Sequence, residues 1–352
     1  MSTPPRWFRR KIVLITASVS AALAVTAGTL YFTGFYDRWQ DGRQVSRACD
    51  GAVAHDELKQ YLGVDELTSD RAWTTSARQD RECVIYWPDG KGQGDNVSVR
   101  VTLGQGRPSQ QLLTDLDRNE SYNQDQVVSP IGNGWRGVLG TDRATVVMPC
   151  GGKADDDLVV NLRAQPRGHT TGTAEQRARL ARIATQTAAN AARQAQCPAP
   201  SGKEITQVPA AMPEAATRPG HATGTCAGIN APTRETTADP LAPIEDCLVT
   251  SPSGTPSFRL AAYYGPFVQN GRPDLSVRGD AFTKPTGGSD GLYWTSTPCP
   301  NHGGTAFYTA ETLRSSDRFT SPAPTAQQAA LAHFAKRSAQ AHGCSLSFTT
   351  PE

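Results

Sequence analysis

The chain has 352 residues, a formal net charge of +2 and 38% hydrophobic residues, to which 32 glycines add. Such an apolar share is typical of a folded globular protein. Residues 1–11 carry four positive charges, so the remainder has a net charge of −2. This nearly neutral remainder excludes the basic surface that nucleic-acid binding requires, and we expect no nucleic-acid partner.

The first predicted element is a membrane-spanning helix over residues 12–36. This run contains no charged side chain, and a bilayer core of about 30 Å needs roughly 20 apolar residues in a helix. Basic residues precede it, at Arg6, Arg9, Arg10 and Lys11. Because positive flanks stay in the cytoplasm, residues 1–11 are predicted to be a cytoplasmic tail and everything after residue 36 to lie outside the plasma membrane. The anchor would contact membrane lipid.

A cleaved signal peptide is the alternative for the same segment. Signal peptides have apolar cores of about 7–15 residues, and this run is longer. Small residues over 24–27 leave a cleavage site open, whereas no cysteine lies near the end of the run to carry a lipid. Both alternatives export the rest of the chain.

Beyond the anchor the sequence divides into two copies of one domain. Residues 37–48 form a polar stalk and residues 49–197 the first copy. A tract rich in proline and alanine over 198–222 shows no apolar periodicity and is predicted to be a semi-extended linker. The second copy covers residues 223–348.

Matching features follow one order in both copies. The second cysteine of each copy comes after an acidic residue, and the third comes after a proline. An alanine-rich helix then precedes the fourth cysteine, with a capping box predicted at Thr173 in one copy and at Thr325 in the other. Both helices carry an apolar stripe with the spacing of one buried helix face: Leu180, Ile183 and Ala184, then Leu331, Phe334 and Ala335.

The pattern between the cysteines predicts an α+β fold. Residues 55–62 read as a short helix that ends at Gly63. Alternating apolar residues over 97–101 and 258–262 predict half-buried strands, and further strands are predicted over 146–148 and 158–160. A helix, then strands, then a long helix indicate an antiparallel sheet with helices packed on one face.

The first 60 or so residues of the first copy carry a resemblance. Ala48-Cys49-Asp50, the helix over 56–63 and Glu82-Cys83 resemble small exported actinobacterial envelope domains of uncharacterised family. Some of those domains are similar to the PsbP-like α+β fold. The resemblance implies a fold and no activity. An excess of arginine over lysine, with abundant alanine, threonine and proline, is also typical of actinobacterial proteins.

Eight cysteines outside the cell predict a disulfide framework. If each copy closes on itself, nine of the 105 pairings of eight cysteines remain. We favour first with second and third with fourth, because the third ends a strand and the fourth ends the helix that should pack on it. The bridges would be Cys49–Cys83, Cys150–Cys197, Cys226–Cys247 and Cys299–Cys344. Zinc sites and redox motifs need closer cysteine spacings than these.

Two short motifs mimic active sites. Residues 132–137 spell the G-x-G-x-x-G fingerprint of dinucleotide sites, and residues 287–291 spell the G-x-S-x-G elbow of hydrolases. Both motifs need a following helix, and strand-like sequence follows instead. Each lies upstream of a Pro-Cys strand, so we expect both to be the same glycine-rich turn in equivalent positions of the two copies.

Other polar residues give weaker signals. The acidic run at residues 155–157 could bind calcium but is more typical of a solvated loop. The histidines do not share a metal-ligand spacing on one helix face: His55, His169, His221, His302, His333 and His342. We predict no cofactor and no metal.

These features predict an envelope protein that binds or scaffolds a partner outside the membrane, because no polar constellation repeats in both copies. One alternative is an envelope hydrolase with one active copy, which would be the first copy with Asp80, Asp142 and Asp155. Another is an accessory subunit of a membrane complex.

Overall fold

The predicted α+β class is confirmed. The computed structural model describes the following residues: 48–64, 67–69, 74–75, 81–86, 98–105, 127–151, 156–164, 172–268, 284–289, 291–302, 304–313 and 322–347. They form antiparallel sheets with a long helix at the end of each copy. The predicted anchor and cytoplasmic tail lie outside these residues. Among the residues that are described, no helix is long and apolar enough to cross a membrane.

The first domain is one antiparallel sheet with two helices on the same face. Its elements are α1 (His55–Leu62), β1 (Thr68–Ser69), β2 (Thr74–Thr75), β3 (Arg81–Tyr86), β4 (Ser98–Gln105), β5 (Ser129–Gly132), β6 (Trp135–Leu139), β7 (Arg143–Met148), β8 (Leu158–Ala164) and α2 (Ala174–Gln194). The strand order is β1-β3-β4-β8-β7-β6-β5, and β2 also pairs with β3. Apolar side chains of both helices, such as Leu58 and Ile183, pack in one buried cluster with Val146 and Val160 of the sheet.

The second domain repeats this arrangement with fewer described elements. They are β9 (Thr233–Glu235), β10 (Ile244–Thr250), β11 (Pro256–Tyr263), β12 (Thr286–Ser289), β13 (Leu292–Cys299), β14 (Gly304–Thr312) and α3 (Pro324–Ala341). The strand order is β12-β13-β14-β11-β10-β9. Leu331 and Phe334 of α3 pack against Leu260 and Tyr308 of the sheet, as the predicted apolar stripe requires.

The two sheets share one topology and register. Aligning them pairs β3 with β10, β4 with β11, β8 with β14, β7 with β13 and β6 with β12. Cys83 lies opposite Val101 of the neighbouring strand, and Cys247 lies opposite Leu260 at the corresponding place. Strand β5 has no counterpart among the described strands of the second domain.

The sheets face each other, so the molecule has four layers in the order helix, sheet, sheet, helix. Along β7, Val146 faces α2, while Val147 points away from it into a third apolar cluster. That cluster joins the two domains through Val128, Val138, Val147, Val159, Ile244, Ala261, Tyr263, Phe267, Val268 and Phe307. The backbone N–H of Val128 also donates to Asp246 Oδ2 at 2.8 Å. Strands β7, β8, β10 and β11 therefore bury both faces, which explains their nearly continuous runs of buried residues.

All eight cysteines form disulfides, which confirms the predicted framework. The bridges join Cys49 to Cys83, Cys150 to Cys197, Cys226 to Cys247 and Cys299 to Cys344. This is the pairing favoured from the sequence. The second bridge of each domain ties the end of a strand to the end of the helix that packs on its sheet. With sequence separations of 47 and 45 between their cysteines, these two bridges each contribute about 3–4 kcal/mol in the loop-entropy account.

One of the two predicted capping boxes is wrong. Thr173 does cap α2, since its hydroxyl accepts from the backbone N–H of Gln176 at 3.2 Å. Helix α3 instead begins at Pro324 with Ala323 as its cap, and no side chain caps it. Proline suits the first helical position because its φ is already helical and its missing N–H is not needed there. The proline therefore places Thr325 inside the helix.

Candidate functional site

The motif over residues 132–137 is the turn between β5 and β6. Gly132, Asn133 and Gly134 have φ values of 78°, 54° and 82°, a left-handed path that glycine and asparagine adopt readily. Strand β6 follows, whereas a dinucleotide site needs a helix N-terminus at this point. The motif therefore has the sequence of a dinucleotide site but not the backbone conformation that such a site requires.

The motif over residues 287–291 forms the hairpin between β12 and β13. A Cβ on Gly287 would lie 2.2 Å from the Trp294 ring, and one on Gly288 would lie 2.2 Å from the Tyr293 ring. These glycines leave room for two aromatic rings to lie across the strand pair. Strand β13 follows instead of the helix that a nucleophile elbow requires.

The two motifs do not occupy equivalent positions, so that prediction is wrong. The β12–β13 hairpin corresponds to the β6–β7 hairpin of the first domain, one turn later than the motif over 132–137. The difference arises because the first domain has the additional strand β5. The β5–β6 turn is therefore a feature of the first domain alone within the described structure.

This turn contacts the tract that leaves the first domain. The side chains of the tract that face the domain occur at every third residue: Ala199, Gly202, Ile205 and Val208 are buried or half-buried. The pairs between them are exposed. Ile205 is 2% exposed and belongs to the buried cluster of the first domain. The tract thus has a regular spacing of buried residues, where the sequence predicted no periodicity, and its backbone bends at Thr206.

Side chains of the β5–β6 hairpin bind backbone carbonyls of the tract. Trp135 Nε1 donates to the carbonyl of Lys203 at 2.7 Å. Asn133 Nδ2 lies 3.4 Å from the carbonyls of both Glu204 and Gln207, and its own carbonyl accepts from the Lys203 N–H at 2.8 Å. A Cβ on Gly202 would lie 2.4 Å from the Trp135 ring, so only glycine permits this approach.

Helix α2 contacts the tract from the side opposite the β5–β6 hairpin. Arg182 Nη1 lies 3.4 Å from the Ile205 carbonyl, and its Nε lies 3.4 Å from Glu57 Oε2 on α1. Arg177 Nη2 donates to the Pro209 carbonyl at 3.1 Å and to Ser129 Oγ at 2.5 Å. Burial lowers the pKa of the Arg177 guanidinium. We name the surface formed by Asn133, Trp135, Arg177 and Arg182 the tract groove.

The end of the tract contacts the second domain. Arg234 Nε donates to the Pro213 carbonyl at 2.7 Å, and Thr217 forms a β-bridge with Thr233. The tract is therefore attached at both ends, to the groove of the first domain and to β9 of the second.

The second domain contains a buried ionic cluster beneath α3. Glu245 of β10 is 2% exposed, and its Oε2 accepts from Arg337 Nη2 at 2.6 Å and from Ser338 Oγ at 2.5 Å. His342 Nε2 lies 3.6 Å from Glu245 Oε1, and its ring stacks on Tyr264 at 3.8 Å. Burial by itself would raise the pKa of Glu245, but His342 and Arg337 outweigh it and lower that pKa to about 2.

This cluster does not have the geometry of a serine nucleophile. To activate a serine, its hydroxyl must donate to one nitrogen of an imidazole, whose other nitrogen donates to a carboxylate. Here the Ser338 hydroxyl donates directly to the carboxylate of Glu245, and Tyr264 OH lies 2.5 Å from the same hydroxyl. Burial also raises the pKa of Tyr264 and of Tyr308 well above that of a free phenol. The arrangement holds α3 on its sheet through a buried carboxylate.

The acidic residues proposed for a hydrolytic first copy do not converge in the described structure. Asp142 lies 2.9 Å from Arg143 Nε and 3.4 Å from Arg163 Nε. Asp80 and Asp155 lie outside the described residues. Asp157 is buried, which together with Asp156 raises its pKa to about 7 against the opposing effect of Arg136. Within the described ranges, no three His, Cys, Asp or Glu side chains lie together as a metal site.

Comparison with protein-family models, with curated proteins and with solved structures found no match. The tract groove and the ionic cluster therefore rest on geometry alone. Sequence reasoning missed both. The groove could have been inferred from the small and apolar residues at every third position of the tract. For Glu245, the only sequence signal was its position two residues before Cys247.

Proposed function

We propose that the chain is a single-pass envelope protein whose two domains bind or scaffold a partner outside the plasma membrane. The charge-free run over 12–36 with its basic flank supports the anchor. Four disulfides support an oxidising compartment, because cytosolic thiols are kept reduced. The resemblance of the first domain to exported envelope domains agrees with this location.

The observation that carries a binding role is the tract groove. It holds a segment without helix or strand structure mainly through backbone carbonyls, to which Trp135, Asn133, Arg177 and Arg182 donate. A surface that binds the backbone of such a segment has the chemistry of peptide recognition. The ionic cluster adds no competing catalytic proposal, since its serine donates to a carboxylate.

The anchor is tested with the full chain carrying a C-terminal tag in intact cells. We expect the tag to be digested by an added protease without lysis, and the chain to stay in the membrane after an alkaline wash. A protected tag, or a chain released by the wash, would contradict the proposed topology.

The binding role is tested by crosslinking the tagged chain in intact cells with an amine reagent that does not cross the membrane. We expect one envelope protein to be recovered reproducibly, and an integral membrane protein would make the chain an accessory subunit. Recovery of no partner, together with turnover of ester, phosphoester or glycoside substrates by the purified chain, would favour the envelope hydrolase.

A further inference from the structure

We infer that the tract groove is a binding site for a peptide segment of a partner protein, and that residues 199–209 occupy it as an internal competitor. The inference rests on the proposed binding function and names its partner class. That class is a proline-containing segment that follows the same bent course, with a small residue and then aliphatic residues at intervals of three. The basis is the segment that the groove already holds.

Backbone contacts make the groove tolerant of sequence. The donors bind carbonyls of Lys203, Glu204, Ile205, Gln207 and Pro209, which any residue supplies. The side chains of Lys203, Glu204 and Gln207 are exposed and are not read by the groove. Another segment that bends at the same place would therefore keep all of these hydrogen bonds.

Selectivity comes from the positions that face the domain. Glycine is the only residue type that fits at position 202 beneath the Trp135 ring, since a Cβ would lie 2.4 Å from that ring. Three residues later, Ile205 is buried in the apolar cluster of the first domain. Val208, after three more residues, is partly buried against the same cluster. A ligand is thus expected to follow the pattern small, x, x, aliphatic, x, x, aliphatic.

The internal segment is held by few apolar contacts, which makes exchange feasible. Only Ile205 is fully buried over 199–209, and three of the side-chain hydrogen bonds to carbonyls are 3.4 Å long. The contact between the two domains through Val147 and Phe307 does not involve the tract, so the four layers can persist when the groove opens. A tethered competitor of this kind lowers the apparent affinity for a free ligand by the fraction of open groove.

The test measures binding of a fluorescent synthetic peptide with the sequence of residues 198–210 to the purified full chain in detergent. Three forms are compared: the unaltered chain, I205S/V208S, and the matched control T206S/Q207S, which changes exposed positions of the same segment. We expect I205S/V208S to bind about tenfold or more tightly than the other two, because its own segment no longer competes. A peptide with serine at the places of Ile205 and Val208 should not bind.

The groove itself is tested by adding N133G/W135F to the I205S/V208S chain. Glycine keeps the left-handed turn and phenylalanine keeps the ring, but both donors to the carbonyls are lost. We expect peptide binding to fall back at least to the level of the unaltered chain. Equal binding by all forms, or binding that survives N133G/W135F, would overturn the assignment.

Two further measurements separate the other outcomes. Should I205S/V208S lose its near-ultraviolet circular dichroism, V208S alone is used, and no gain in binding by that folded variant overturns the inference. A dimer in which crosslinks join the tract of one copy to the groove of another would assign the groove to a second copy instead. If peptide binding fails while a partner is still crosslinked in cells, the peptide assignment falls and the proposed function stands.

Discussion

The two domains share a strand order and a disulfide framework, yet each packs its long helix on the sheet differently. Helix α2 of the first domain buries an alanine-rich face, with Ala181, Ala184 and Ala188 fully covered. Helix α3 of the second domain buries Phe334 and also binds the carboxylate of Glu245 through Ser338. The position of Glu245 corresponds to Arg81 in the first domain, by register from the second cysteine.

This difference shows that the two domains share the strand order and the disulfide between the last helix and its sheet. The interface between that helix and the sheet can be apolar or ionic. A catalytic site common to the two domains would leave matched polar groups in both. The ionic cluster occurs in one domain and the tract groove in the other. Each is thus an addition to a common framework.

The largest expected effect comes from removing the charge that only the second domain buries. We expect Glu245→Ala to lower the free energy of unfolding of the second domain by about 3–5 kcal/mol, because Arg337 is left without its buried carboxylate. Urea unfolding followed by pulsed hydrogen exchange reads each domain separately. The control is Glu175→Ala, whose exposed pair with Arg179 is worth about 0.3–0.5 kcal/mol. Equal effects of the two changes would remove the asserted difference between the domains.

The tract groove provides the corresponding change in the first domain. We expect Ile205→Ala to lower the stability of the first domain by about 2–5 kcal/mol, as large-to-small core changes do, and to leave β10 and α3 protected. Thr206→Ala, one residue away and exposed, should stay within about 0.5 kcal/mol. The same pulsed exchange measures both. A silent Ile205→Ala would show that the tract does not contribute to the core.

The two domains should respond to pH with opposite signs. The folded pKa of Glu245, about 2, lies below its ordinary value of 4.5, so its contribution is complete above pH 4.5 and is lost as the pH falls towards 2. The folded pKa of Asp157 is raised from 3.8 to about 7, so its contribution is present below pH 3.8 and is lost as the pH rises through 7. Urea titrations of each domain at a series of pH values check this. Glu245→Gln should flatten the acid side only, and Asp157→Asn the neutral side only.

The smallest expected effect is a difference in the rate of reduction between the two equivalent disulfides, Cys150–Cys197 and Cys299–Cys344. Cys150 and Cys197 are half-buried, whereas Cys299 and Cys344 are 0% and 8% exposed. Because thiol exchange needs access to a sulfur, a mild phosphine or thiol reductant should open the bridge of the first domain first. Mass spectrometry with alkylation locates the reduced pair. Reduction of both disulfides at the same rate would show that the exposure of the sulfur atoms does not control the rate of reduction.

Several elements could be predicted because local sequence determines them. The helix over 55–62 ends at Gly63, which adopts φ 68° at its cap, as its sequence requires. The strands over 146–148 and 158–160 follow from short apolar runs. The start of α3 was misplaced because Pro324 competes with Thr325 for the helix start, and both are plausible signals locally.

The candidate site was harder to predict because its parts are distant in sequence. Asn133 and Trp135 meet residues 202–208 only after the sheet has placed β5 beside β6 and α2 across it. A pattern of every third residue in a proline-rich tract is also easily overlooked, since helices and strands have periods of 3.6 and 2. Glu245 is polar at a position that pattern alone assigns to a solvated strand face.

By itself the sequence determined the α+β class, the matching order of features in the two domains, the disulfide framework and the backbone turns, because these depend on spacing and on local conformational preference. Only the tertiary structure decided that the sheets stack face to face, that the tract lies in a groove, and that Glu245 shares its carboxylate between Arg337 and Ser338. Such contacts depend on which faces are brought together. That choice is made by packing side chains that lie far apart in the chain.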